Sequence, residues 1–148
     1  MIRMIAGAVG IFGFCLMIHV EKRHICFPLL GGVAYFRLFL LLESIGFQKF
    51  SAVYLATIII GIYGECFSRL FSVPTTVYFV PSCILLIPGS NLYYALVGML
   101  SQDWNAFHDN VFLLILYAVG IAFGFATVQE ADHIYSELKR KMVRHTVK

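Results

Sequence analysis

Five stretches of apolar sequence, each near twenty residues long, follow one another along this chain with only short polar breaks between them. They cover residues 4–20, 25–42, 50–67, 77–100 and 111–129. A helix needs about 20 apolar residues to cross a hydrocarbon layer ~30 Å thick, with some latitude for tilt. Inside lipid the backbone must satisfy its own hydrogen bonds, and runs of this length do so as helices. The expected fold class is an all-α integral membrane protein with about five transmembrane helices. The breaks leave no room for a soluble domain, so residues 1–148 read as one transmembrane domain with a basic tail at 130–148.

Composition supports this reading. Apolar residues make up 60% of the chain and charged residues only 13%, about half the quarter typical of soluble domains. A soluble domain of 148 residues would have too much surface to cover with so few charges. The first run is followed by Glu21-Lys22-Arg23 rather than a small-residue cleavage site, so it reads as a retained span. Cys15, Cys26, Cys66 and Cys83 stand singly, with no CxxC pair and no zinc or haem spacing. The five histidines lie in breaks or at run ends, none paired at metal-ligand spacing. No metal or other cofactor is therefore expected. The phosphate-binding loop GxxxxGK[ST] is missing, as are HExxH and GxSxG, which argues against ATP hydrolysis and against hydrolase chemistry.

Position matters more than total for the net charge of +3. Lys139, Arg140, Lys141, Arg144 and Lys148 crowd the tail without aromatic interleaving, so nucleic acid is not expected. A cytoplasmic tail near anionic lipid of the inner membrane fits better. If all five runs cross, Lys22, Arg23 and Arg69 join the tail inside, against Arg3 and Lys49 outside, which obeys the positive-inside rule. Residues 101–110 then form an external loop without Lys or Arg. A fourth run that dips in and returns would reverse that parity.

Small residues mark where helices approach closely in lipid. The fifth run carries Ala118, Ala122 and Ala126 on one stripe and Gly120 and Gly124 on the next. Gly7, Gly10 and Gly13 mark the first run, Gly61 and Gly64 the third. The contacts could lie within the chain or with a partner.

The fourth run is the informative one. Pro81 and Pro88 each remove a helix donor and crowd the preceding turn, and Gly89 directly after Pro88 predicts a full interruption. It falls near the middle of the run, with residues 77–87 before it and 90–100 after it. Ser90 and Asn91 are good N-caps for a second half-helix, whose free N–H groups and dipole favour an anion such as a carboxylate. Broken helices of this kind mark substrate sites in secondary transporters; a merely kinked structural helix is the other reading.

Charged residues inside the runs are the other candidates. Glu65 and Arg69 lie one turn apart on one face and read as an interfacial ion pair or as a proton-carrying coupling site. Arg37, near the outer end of the second run, can snorkel to the interface or touch substrate. Glu43, six residues on and roughly 240° around the helix, does not share its face.

Taken in order, these features resemble the small, membrane-only half of the threonine/serine exporter family, in its split two-subunit form. The resemblance runs through the early glycine-bearing span, Lys22-Arg23, and Glu65 with Arg69 ahead of Pro74. It continues through Pro88-Gly89, Leu92-Tyr93, Gln102-Asp103 and the last small-residue span. It implies a subunit of a secondary exporter for threonine and serine, or for a dicarboxylate such as succinate. It also implies a larger partner subunit; five spans alone are few for a transport path, so a partner or self-association is expected, and the candidate substrate-binding residues are Pro88, Gly89, Ser90, Asn91 and Tyr94. Tyr94 stands where many relatives carry a basic residue. A non-transporting membrane scaffold is the alternative function.

Overall fold

In the computed structural model, which describes residues 2–146 (side chains of 5–138), the chain forms six α-helices and one 3₁₀ turn. They are α1 (Ile2–Met17), α2 (Cys26–Ser44), α3 (Lys49–Phe71), α4 (Thr76–Cys83), the 3₁₀ turn Ile84–Leu86, α5 (Gly89–Leu100) and α6 (Trp104–Thr146). The connections are short because four helices end in a single left-handed residue that folds the chain back. His19, Ser72 and Gln102 take φ near +57°, and Gly46 takes +102°. Three of these ends show both bonds of a Schellman cap. At Gly46, for example, Gly46 N–H bonds the Glu43 carbonyl and Phe47 N–H the Leu42 carbonyl, each at 3.1 Å.

The fold class is all-α and membrane-spanning. The helices α2, α3 and α6 are each long and apolar enough to cross, and the bent pair α4–α5 makes a fourth candidate span. The first helix has 16 residues, about 24 Å, and is the short one. The fifth apolar run proves to be the middle of a helix of 43 residues, about 65 Å long. That corrects the expected external loop at 101–110. Only three residues separate α5 from α6, because Asp103 Oδ1 accepts the Ala106 N–H at 3.1 Å and starts the helix ahead of the apolar run. The helix also continues through the expected tail. The tail's basic side chains, and that of Arg3, lie outside the described residues.

Glycines decide how the helices pack. On α2, a Cβ at Gly32 would collide with Ile11 and lie 3.1 Å from the Ser82 carbonyl oxygen, so α4 sits directly on the α2 backbone. Ser82 Oγ reaches the carbonyls of Tyr78 at 2.7 Å and Pro28 at 3.1 Å. Between α3 and α6, Gly124 receives Thr57, Gly120 receives Val53, and Gly61 receives Val128. The glycine stripe of α6 therefore packs within the chain, whereas Ala118, Ala122 and Ala126 face outward.

Polar side-chain atoms in the core are paired, apart from His24 Nε2, which is buried without a hydrogen-bond partner among the described residues. Thr57 Oγ1 donates to the Val53 carbonyl at 2.8 Å, so Tyr35, 2.5 Å away, donates its hydroxyl to Thr57. His24 lies in the turn ahead of α2, yet it is buried, with Nδ1 2.9 Å from the Tyr78 hydroxyl and its ring edge-on to Phe71. Pro81 does not break its helix. It is buried inside α4, which continues through it to Cys83, because packing against α2 outweighs one lost hydrogen bond. The tightening comes later, in the 3₁₀ turn.

Candidate functional site

The interruption of the fourth run is built by Pro88 alone. Ile87 is extended, at φ −62° and ψ 118°, as residues before proline prefer. Pro88 itself has φ −77° and ψ 64°, and Gly89 N–H bonds the Ile87 carbonyl at 2.7 Å. This is an inverse γ-turn, and it bends the pair by 51°. Gly89 contributes nothing to the bend. Its φ is not positive, and an added Cβ would meet nothing within 4 Å.

The anion site expected at the α5 N-terminus is smaller than the sequence suggested. The helix begins at Gly89, so Ser90 and Asn91 lie in its first turn and neither caps it. Gly89 N–H is used in the γ-turn, and Asn91 and Leu92 both bond the Pro88 carbonyl, at 3.0 and 3.2 Å. Only the Ser90 N–H in this turn makes no hydrogen bond among the described residues. The Asn91 amide donates to Asn110 Oδ1 at 3.2 Å, tying α5 to α6.

Pro88, Gly89, Ser90 and Asn91 line one side of a cleft of about 660 Å³, within the range of small-molecule sites. Glu43 from the end of α2, Lys49 from the start of α3, Tyr117 from α6, and Gly7 and Gly10 of α1 also line it. The break thus opens beside the α2–α3 turn, not halfway along the bundle as two equal half-helices would require. Sequence reasoning missed Glu43 and Lys49 as site residues. The signal available was Gly46 between them: a left-handed turn there brings the two helix ends around one corner. Glu43 is half-buried and Lys49 exposed. Neither forms an ion pair among the described residues.

The other candidates fall elsewhere. Tyr94 is 57% exposed on α5, stacked edge-on to Tyr93 and off the cleft. Arg37 is exposed on α2 and also off the cleft. Glu65 and Arg69 do not pair with each other. Thr75 donates its hydroxyl to Glu65 Oε1 at 2.8 Å, while Arg69 pairs with Asp132 of α6 and lies 5.0 Å over the Tyr135 ring. The Arg69 fork finds a better partner across the helix interface than one turn back along its own helix.

The cleft offers an acid, a base, hydroxyls and one free N–H against apolar walls. That set suits binding of a small charged molecule. No solved structure matches the chain. Its sequence matches the family described as "Threonine/Serine exporter, ThrE" over residues 3–130, which takes in every cleft residue and the whole of α1 to α5 beyond the first residue of α1. The match agrees with a multi-pass, apolar helical chain whose function is the passage of amino acids or similar small metabolites. The chain belongs to the threonine/serine exporter family.

Proposed function

We propose that this chain is the membrane subunit of a secondary exporter for small carboxylate-bearing metabolites, threonine or serine or a dicarboxylate such as succinate, and that substrate occupies the cleft beside Pro88. One observation carries the reading: the γ-turn at Pro88 and the two charged helix ends at Glu43 and Lys49 face a single cavity. A structural kink has no need of charged walls.

The same geometry suggests how the site opens. The helix α5 packs on α6 and scarcely touches the rest of the bundle, while α4 is held firmly by α2. Rotation about Pro88 would move the Ser90–Asn91 rim against the α5–α6 packing and the Asn91–Asn110 bond, in the manner of a hinge. A larger partner subunit would close the outer wall of the pathway, since the cleft is open and α5 exposes most of its surface. The orientation that fits the basic residues places the C-terminus in the cytoplasm and Asp103 outside, in the inner membrane. Transport energy would come from an ion gradient or from the substrate's own gradient.

Metabolite efflux from vesicles holding the chain and its partner tests this reading. Gly89→Leu should fill the cleft and abolish efflux while insertion and assembly stay normal. Efflux at the wild-type rate would remove the cleft from the pathway and favour a scaffold role.

A further inference from the structure

Away from the cleft, one buried side chain is only half satisfied. His24, in the turn between α1 and α2, is 3% exposed. Its Nδ1 lies 2.9 Å from the hydroxyl of Tyr78, itself fully buried on α4. Its Nε2 has no hydrogen-bond partner among the described residues. The residue also lines a cavity of about 190 Å³, whose wall includes His19, Glu21, Val73 and Val77 and shares no residue with the cleft at Pro88. Tyr78 of α4, Phe27 of α2 and Phe71 at the end of α3 surround the imidazole, with ring centroids 5.1 to 6.3 Å from its own. On α3, Arg69 is engaged by Asp132 of α6. His19 and Glu21 come from the turn itself, and Glu21 Oε2 accepts from Arg23 Nε at 2.6 Å. Lys22 and Cys26 lie exposed nearby.

A neutral imidazole carries one N–H and a protonated one carries two. With both nitrogens protonated, Nδ1 has to donate to Tyr78, and the Tyr78 hydroxyl proton loses its acceptor. The Nε2 proton is then buried among aromatic rings. Their faces offset part of the charge but do not replace the missing hydrogen bonds. From this geometry we propose that His24 is a proton-binding site, and that a proton there unseats the α1–α2 turn from α4. The protonated ring turns out into the cavity, where water and the Glu21 carboxylate accept its N–H groups. The open form binds one proton more than the closed form, so opening grows as pH falls. The helix α4 runs on through the 3₁₀ turn to Pro88, so the turn acts on the broken span from its far end.

The test uses the full chain in vesicles, with the native cysteines replaced and Val77→Cys introduced as a reporter on the cavity wall. Its reaction rate with a small water-soluble thiol reagent is divided by that of a free thiol at the same pH. The ratio should rise about tenfold between about pH 8 and pH 5. His24→Gln, which stays neutral, should flatten the rise. Glu21→Gln should cut it by about threefold, because a charged acceptor is lost. His19→Asn, which suits the left-handed backbone there, should leave it unchanged. A flat ratio in the reporter chain, or a full rise in His24→Gln, overturns the proposal. Should His24→Gln fail to fold, the two variants at exposed positions decide: a rise unaltered by Glu21→Gln, or lost in His19→Asn, overturns it equally.

Discussion

The two halves of the fourth run have much the same composition and opposite surroundings. In α4, Tyr78, Phe79, Pro81, Ser82 and Cys83 are all buried, and the helix lies on the α2 backbone at Gly32. In α5 only Ala95 and Gly98 are buried, and Leu92, Tyr93, Leu96 and Leu100 stand exposed, the last at 80%. Hydrophobicity cannot separate them, because lipid is as good a neighbour for leucine as another helix is. Small residues do. Gly31 and Gly32 face α4 from a neighbouring helix and let it in, whereas Gly98 faces only Phe107 and Asp103 of its own hairpin. The chain therefore has a fixed half and a half free to meet another surface, joined at Pro88.

Substitutions should reveal this contrast, most strongly in the fixed half. Gly32→Leu drives a side chain into Ile11 and the Ser82 backbone and should cost roughly 3 kcal/mol, or prevent assembly altogether. A large fall in the melting temperature of the detergent-solubilised chain checks it, and a melt within a degree of wild type would mean that α4 is not clamped. Tyr78→Phe should come next, at about 1–2 kcal/mol. It leaves buried His24 Nδ1 without its hydroxyl partner, and the same melt reads the effect. Arg69→Ala removes a half-exposed pair with Asp132 and should shift stability by roughly 0.5 kcal/mol, less at high salt.

Smallest in stability is Gly89→Ala, within about 0.5 kcal/mol of wild type, because its Cβ points into open space. Paired with the loss of efflux expected for Gly89→Leu, that result would assign Gly89 to the cleft rather than to the bend. Strong destabilisation by Gly89→Ala would instead make α5 as constrained as α4 and dissolve the contrast. Glu65 gives a functional counterpart at the other end of α3. Glu65→Gln keeps an acceptor for Thr75, so stability should barely move. Gradient-driven efflux measured across a pH step then decides whether that carboxylate carries a proton.

Much of the fold was legible before any coordinates. Apolar runs are local in sequence, and lipid forces each into helix, so their order could be read directly; their count as spans could not, since three helices and one bent pair are long enough to cross and α1 is short. The proline at 88 was legible for the same reason: its ring acts on adjacent residues. The glycine stripe of α6 was visible too, although only packing separated it from the alanine stripe that faces outward. Boundaries were less legible at 101–110, because the cap at Asp103 starts a helix through polar sequence that hydropathy reads as loop.

By itself, the sequence determined what the chain is made of: apolar helices in a fixed order, and a break that must occur at Pro88. Only the tertiary structure decided what meets at that break. Glu43 and Lys49 lie some forty residues from Pro88, Arg69 turned from Glu65 to Asp132, and Tyr94 turned away from the cleft. Such choices depend on how helices rotate and approach through glycine contacts far apart in the chain. Those contacts are set by shape across the whole bundle, and no local pattern records them.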